Sequence, residues 1–207
     1  MSEEAEMEQR TEAWRLARVG FVTASRIADL MARTKSGYGA SRANYMSELI
    51  VERMTGVPTE HFVSKEMQWG IDHEEEARIA YEERTGEIVQ QVGFIEHPTI
   101  LHSGASPDGF VGDNGLVEIK CPNTSTHIDT ILSDQADSRY YKQMQWQMEC
   151  SGRRWCDFVS FDPRMPEKLR LFVARVPYDA DFISKACIEV GKFLDELADK
   201  ISSLEAL

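Results

Sequence analysis

The chain has 207 residues, of which 42% are hydrophobic and 28% are charged, and this is the balance of one globular domain. No apolar run approaches the roughly 20 residues that span a bilayer, so the composition excludes an integral membrane protein. The acidic first residues lack the features of a secretory signal, and the four cysteines contain no CxxC pair. We therefore expect reduced thiols, a cytoplasmic location and a single domain over residues 1–207, with residues 1–9 flexible.

Charge is distributed unevenly along the chain. The 23 basic and 35 acidic residues give a net charge of −12, and that sum argues against nucleic acid as a partner. However, seven basic and only two acidic residues lie between Arg10 and Arg42. This stretch permits one positive face on an acidic body, although a solvated surface helix has the same composition.

The first half of the sequence has mostly helical patterns. Thr23 begins a segment whose hydroxyl groups are available to cap a helix that runs to about Ala32. The glycine-rich segment 36–41 predicts a mobile loop. Two longer helices are predicted over residues 42–54 and 65–84, each followed by a glycine that ends it.

After these helices the hydrophobic period changes toward two, and short apolar runs are separated by Gly, Pro, Asp and Asn. We predict strands over residues 88–95, 100–103, 109–111, 116–121, 155–161 and 169–176, and helices over residues 138–150 and 181–201. This order predicts an α/β or α+β domain with a central mixed β-sheet flanked by helices.

One segment holds a carboxylate and an ammonium side by side on a strand. Glu118 and Lys120 are two residues apart and share one face, whereas Val117 and Ile119 lie on the opposite, apolar face. Asp108 comes just before the preceding strand, and the glycine-rich turn between the strands folds it back toward Glu118. Converging carboxylates repel each other unless a cation lies between them, and hard oxygen ligands suit Mg²⁺ or Mn²⁺. Lys120 would then orient a water and help to remove its proton for attack on phosphorus.

The alternative for this segment is a surface hairpin whose charges pair in solvent. A second acidic candidate, Glu74, lies in the middle of a largely apolar stripe of the predicted helix over 65–84. A carboxylate on such a face is costly unless it is paired or bound to a cation. Glu74 is therefore either a third acidic member of the metal site or the ion-pair partner of Arg78, one turn along the helix.

Glutamines and an arginine add two weaker signals. Gln143 and Gln147 share one face of the predicted helix over 138–150, where they are either solvated or, for Gln143, able to position a phosphate or the attacking water. Arg18 precedes a helix start that carries hydroxyl groups. That arrangement suits a phosphate, but a capped helix with a surface arginine looks the same. The histidine spacings match no zinc site.

With these residues in view, the chain resembles the lambda-type (YqaJ-like) exonucleases of phage recombination, within the PD-(D/E)xK nuclease superfamily. The matching stretches occur in order and at compatible spacing between residues 14 and 165. They are Trp14 to Ser25, Trp69 to Arg78, Ser106 to Pro122, Tyr141 to Gln145, and Phe161 to Met165.

The resemblance implies a restriction-endonuclease-like core and a Mg²⁺-dependent exonuclease, with Mn²⁺ as a substitute and two ions in each active site. Such an enzyme digests one strand of linear duplex DNA from its 5′ end and leaves 3′ single-stranded tails for strand annealing. The resemblance also implies a ring-shaped homotrimer, a single-strand annealing protein as partner, and the cytoplasm of a bacterial host.

The resemblance further assigns roles to individual residues. Asp108 and Glu118 correspond to metal ligands, with the Ile119 backbone carbonyl beside them and Glu74 completing the set directly or through water. Lys120 corresponds to the residue that activates the water, and Gln143 supports the site.

The same resemblance assigns residues that hold DNA. The residues of the pocket for the terminal 5′-phosphate are Arg18, Ser25 and Ser106. Met67 corresponds to an apolar wedge at the end base pair and Lys35 to a basic DNA contact. Thr126 stands where an arginine would strengthen the phosphate pocket. Two other functions remain open at this point: a different PD-(D/E)xK nuclease, such as an endonuclease, or a catalytically silent DNA-binding module.

Overall fold

The structure, a computed structural model, describes residues 8–60 and 62–207. Residues 1–7, which make up most of the segment predicted to be flexible, lie outside the described residues. The helices are α1 (Glu12–Ala17), α2 (Ile27–Leu30), α3 (Ala40–Thr55), α4 (Lys65–Thr85), α5 (Thr124–Ser133), α6 (Tyr141–Ser151) and α7 (Ala180–Glu205). In the described part of the chain, no helix is both long and apolar enough to cross a membrane.

The strands form one main sheet and two small ones. Their bounds are β1 (Val22–Thr23), β2 (Arg33–Thr34), β3 (Gly37–Tyr38), β4 (Val89–Gln90), β5 (Ile95–Glu96), β6 (Ser103–Ala105), β7 (Gly109–Val111), β8 (Gly115–Lys120), β9 (Trp155–Phe161) and β10 (Leu171–Pro177). The main sheet has the order β10-β9-β8-β7-β4, with β8 and β9 parallel and all other neighbours antiparallel. A parallel pair needs a crossover connection, and α5 and α6 provide it between β8 and β9.

The two faces of the central strand β8 pack against different helices. Ile119 belongs to an apolar cluster with Ala77 and Tyr81 of α4, whereas Leu116 belongs to a cluster with Met144 of α6. Because successive side chains of a strand alternate between faces, Glu118 points toward α6. The third cluster, around Trp146, joins α6 to α2, α3 and α7.

The predicted fold class is confirmed, because a mixed sheet lies between helices. The predicted strand over 88–95 is two separate short strands, β4 and β5, and the strand expected over 100–103 begins only at Ser103. Part of the predicted loop over 36–41 pairs as a small hairpin, β2 with β3.

One predicted helix cap is wrong, and two helices have no counterpart in the prediction. Thr23 makes no side-chain capping hydrogen bond, and a 3-10 turn over Ala24–Arg26 precedes α2. Helix α1 is only six residues long, too short to show a hydrophobic period. Helix α5 was also not predicted, although Asn123 accepts a hydrogen bond from the Thr126 backbone N–H as its N-cap.

Candidate active site

Glu118 is a charged residue in the middle of the protein core. Its side chain is fully buried, and such a carboxylate is costly without partners. Two amides of α6 supply them: Gln143 Nε2 donates to Oε1 at 2.6 Å, and Gln147 Nε2 donates to Oε2 at 2.7 Å. Lys120 forms an ion pair with the same carboxylate. Glu118 is therefore held in one orientation by three donors.

Asp108 lies beside Glu118 because β7 and β8 pair as a hairpin. Gly109, the next residue, is aligned with Val117, and the Asp108 carboxylate accepts a hydrogen bond of 2.7 Å from the Ile119 backbone N–H. Burial and then the neighbouring charge of Glu118 raise the pKa of Asp108 well above its ordinary value. The two acids repel each other in this arrangement, and a cation between them would relieve the repulsion.

Glu74 reaches the same place from α4. Together with Asp108 and Ile119 it lines a cavity of about 410 Å³, and its charge also raises the pKa of Asp108. The alternative pairing with Arg78 is wrong, since Arg78 pairs with Glu75 and Glu82 instead. The partner of Glu74 is Arg10, which lies outside the helix.

Lys120 carries a positive charge toward the carboxylates. Burial by itself would lower the pKa of Lys120, but Glu118 and Asp108 outweigh burial and raise that pKa above its ordinary value. The ammonium also lies 5.0 Å from the ring centroid of Tyr140, within the range of a cation–π contact. With both carboxylates beside it, Lys120 is therefore a protonated, positively charged hydrogen-bond donor.

The donor set fits a divalent cation. The structure brings together three carboxylates, from Glu74, Asp108 and Glu118, beside the Ile119 backbone. Oxygen donors of this kind suit Mg²⁺ and Mn²⁺. Mutual repulsion of Asp108 and Glu118 is the property that a bound cation would remove.

Of the three residues predicted to bind a phosphate, Ser106 precedes Asp108 by two positions. Strands β1 and β6 are parallel, with Thr23 aligned with Gly104. Ser25 comes two residues after Thr23, and Ser106 comes two residues after Gly104. Trp14 Nε1 donates to Ser106 Oγ at 3.0 Å, and the Arg18 guanidinium lies 4.0 Å above the Trp14 ring.

The guanidinium of Arg18 is buried, and its hydrogen-bonding capacity is not fully used among the described residues. Burial lowers its pKa, while Tyr45 and Glu52 act in the opposite direction. Its Nε is buried and has no hydrogen-bond partner among the described residues. A desolvated guanidinium with an unused donor is suited to an anion. Arg18 and Ser106 both contact Trp14 and are thus the core of a candidate anion pocket, with Ser25 as its predicted third member.

Lys35, Met67 and Thr126 are the other residues that the sequence singled out. Lys35 is exposed in the turn between β2 and β3, and Met67 is exposed in the first turn of α4. Thr126 lies in the first turn of α5 and is half-buried. Among the described residues, none of these three forms a hydrogen bond or ion pair with the carboxylates.

Comparison with known proteins identifies the family. The profile of the YqaJ-like viral recombinase domain matches residues 13–154. The chain belongs to the YqaJ-like viral recombinase family. No curated protein matches it, but solved structures do. LHK-Exo, an alkaline exonuclease from Laribacter hongkongensis, has 50% sequence identity and a TM-score of 0.89, over 95% of this chain and 97% of that chain.

Two further structures extend this result. LHK-Exo in complex with dAMP matches with 51% identity and a TM-score of 0.88, over 95% of this chain and 97% of that chain. A phage-related exonuclease from Haemophilus somnus has 17% identity and a TM-score of 0.72, over 89% of this chain and 96% of that chain, which shows a shared fold alone. The predicted PD-(D/E)xK relationship is confirmed, and the match to an alkaline exonuclease supports a nuclease.

Two features of this family member were not found from its sequence. The sequence marks Arg10 only as part of a basic stretch and Gln147 only as a residue on the same helix face as Gln143. Helical spacing puts Gln143 and Gln147 on the same side of the helix. This spacing could have predicted that Gln147 contacts the same carboxylate as Gln143. The pairing of Arg10 with Glu74 joins residues 64 positions apart and has no sequence signal.

A second group of possible metal ligands lies elsewhere in the fold. Ligand atoms of His97, Glu149 and Cys187 lie within 4.8 Å of one another. However, His97 Nδ1 accepts backbone N–H groups of Thr99 and Ile100 at 3.2 and 3.0 Å, and burial lowers the pKa of His97 despite the opposing effect of Glu149. The neutral ring therefore carries its proton on Nε2, the atom nearest Glu149, and that nitrogen is not free to bind a metal.

Proposed function

We propose that this chain is a Mg²⁺-dependent exonuclease that digests one strand of linear double-stranded DNA from the 5′ end. The observation that carries the proposal is the buried Glu118 carboxylate, held by two amides beside Asp108 and Lys120. Burying a charge this deeply has no packing benefit. The membership of the family and the similarity to an alkaline exonuclease agree with a role in catalysis.

Asp108 and Glu118, with the Ile119 carbonyl, would hold the cation, and Glu74 would complete the set directly or through water. Mg²⁺ is the expected ion, Mn²⁺ would substitute, and two ions per site would fit a set of three carboxylates. A bound divalent ion supplies Lewis-acid polarisation of the scissile phosphate. Gln143 and Gln147 keep both oxygens of Glu118 in place.

Lys120 would orient the attacking water and stabilise negative charge that develops on the phosphate. Its raised pKa makes it a cation while the carboxylates are uncompensated. It can accept a proton from the water only after their charge has been neutralised. Its proximity to both Asp108 and Glu118 supports this order of events.

The preference for a 5′ end would come from Arg18, Ser25 and Ser106. A terminal phosphate carries more charge than an internal one, and a desolvated guanidinium with hydroxyl groups would favour it. Lys35 and Met67 would contact the duplex, Met67 as a wedge at the end base pair. Thr126 supplies no charge to the pocket.

A ring-shaped homotrimer around the DNA and a single-strand annealing partner are further parts of the proposal, and both rest on the family resemblance. The net charge of −12 requires that basic groups line the DNA path while acidic groups face outward. If sedimentation finds only monomers at the working concentration, the trimer part of the proposal is refuted.

The decisive experiment is a nuclease assay on linear duplex DNA that carries a 5′-phosphate, labelled at either end, with Mg²⁺ or with a chelator. We expect release of 5′ nucleotides with Mg²⁺ and none with the chelator. Asp108→Asn should abolish release. Asp113→Asn, which removes an exposed acid from the turn between β7 and β8, is the matched control and should retain it.

The two other candidate functions give different results in the same assay. Cleavage of covalently closed circular duplex would indicate an endonuclease. DNA binding without cleavage by the wild-type protein, under every metal condition, would indicate a silent binding module.

A further inference from the structure

The segment Glu8–Arg10 lies over the carboxylate cavity and forms part of its wall. Gln9 Nε2 donates to the backbone carbonyls of Val92 and Pro107, both at 2.8 Å. Pro107 directly precedes Asp108, so this segment is attached to the same loop that carries a predicted metal ligand. These two hydrogen bonds anchor Gln9, which lies at the end of the segment predicted to be flexible.

The backbone turns sharply at Arg10. Arg10 has a φ of +68°, in the left-handed region that residues other than glycine seldom adopt. The next residue, Thr11, caps α1 by accepting the Trp14 backbone N–H. Arg10 is thus fixed between two anchored residues and lines the cavity.

The guanidinium of Arg10 pairs with Glu74. The side chains are 43% and 26% exposed, respectively, so the pair is in contact with water and is weak enough to exchange. A divalent cation on the same carboxylate would repel the guanidinium. Arginine also binds phosphate oxygens in a fork geometry, and the cavity is where the proposed function expects a phosphodiester.

We propose that Arg10 exchanges partners during the reaction: it pairs with Glu74 in the metal-free protein, and after metal binding it contacts a phosphate of the DNA strand in the cavity. Arg10 is then a substrate-contacting residue, positioned by Gln9 and Thr11. This inference rests on the proposed function, since it needs both a divalent ion at Glu74 and a DNA strand beside it.

The test compares Arg10→Gln with Lys200→Gln, which removes an exposed positive charge near the end of α7. In the first measurement, Ca²⁺ is titrated calorimetrically into each DNA-free protein. We expect Arg10→Gln to bind Ca²⁺ about two- to five-fold more tightly than wild type, the size of an exposed ion pair. Arg10→Lys keeps the charge and should bind Ca²⁺ as wild type does.

In the second measurement, fluorescence anisotropy follows a labelled duplex end with a 5′-phosphate in Ca²⁺, at several salt concentrations, with a gel to verify that the DNA is uncut. Arg10→Gln should bind this DNA more weakly, and the slope of log affinity against log salt should fall by about one. Lys200→Gln should match wild type in both measurements.

Both effects are required. If Arg10→Gln equals Lys200→Gln in either measurement, or binds Ca²⁺ more weakly than wild type, the exchange is refuted while the proposed function stands. If the wild-type protein itself binds no Ca²⁺ and cuts no DNA with Mg²⁺, the proposed function fails. Melting curves of the variants, expected to overlay wild type, exclude misfolding as the cause.

Discussion

The two buried glutamines of α6 allow the role of Glu118 to be separated from its effect on stability. Gln147 donates to Glu118 at 2.7 Å, whereas Gln145 donates to the Pro177 carbonyl at 2.8 Å and accepts the Asp179 backbone N–H at 2.8 Å. Both side chains are fully buried. Replacing each with leucine therefore removes similar groups at similar depth, but only one of them touches the carboxylate.

We expect Gln147→Leu to lower the free energy of unfolding by about 1.5–3 kcal/mol, the usual contribution of a hydrogen bond to a charged group. For a chain of this size the melting temperature should fall by roughly 3–12 °C. Because Glu118 would lose one of its two amide donors, metal affinity or kcat should fall by about 10- to 100-fold, as for other partners of metal ligands.

The measurements are thermal melts in chelator and initial nuclease rates over a Mg²⁺ titration, at a temperature where all variants are folded. Gln145→Leu should also melt at lower temperature but keep the wild-type rate per folded molecule. Equal losses of activity in Gln145→Leu and Gln147→Leu would refute the reasoning, because activity would then follow stability alone.

Three other predictions concern Asp108, Arg18 and Cys187. Because the pKa of Asp108 is raised, the folded protein holds that proton more tightly than the unfolded chain does. The free energy of unfolding in chelator should therefore fall as the pH rises from the ordinary pKa of an aspartate through the raised one. Asp108→Asn should melt at a higher temperature than wild type at about pH 8 and at the same temperature at about pH 4. A lower melting temperature for Asp108→Asn at about pH 8 would contradict this. Arg18→Ala should mainly erase the preference for 5′-phosphorylated over 5′-hydroxyl ends in the rate assay, and an equal loss on both would be incompatible with the anion pocket. Since the His97 ring carries its proton on Nε2, Cys187→Ser should show the same Zn²⁺-dependent melting shift as wild type, and a smaller shift would point to a zinc site there.

Much of the candidate site follows from local rules. Strand alternation places Glu118 and Lys120 on one face, and the hairpin turn returns Asp108 to them. Helical spacing groups Gln143 with Gln147. These relations involve residues close in sequence or repeated at a regular period, so a periodic pattern is enough to predict them.

Relations between distant segments could not be predicted in the same way. The Arg10 to Glu74 pair depends on a left-handed turn and on two anchors of Gln9, and none of these has a periodic signature. The parallel pairing of β1 with β6, which aligns Thr23 with Gly104, joins two very short strands. The His97, Glu149 and Cys187 group draws on three separate segments, which spacing rules for zinc sites do not cover.

The packing of β8 between α4 and α6 constrains how the β7–β8 turn can change in length. An insertion of one residue within β8, or a turn longer by one residue that shifts the pairing, would rotate every following side chain to the opposite layer. Glu118 would then enter the apolar cluster of Ala77 and Tyr81, while Ile119 would meet the amides of α6. Relatives that keep the chemistry should therefore tolerate lengthening of this hairpin by even numbers of residues, and odd changes should occur only where a bulge restores the phase.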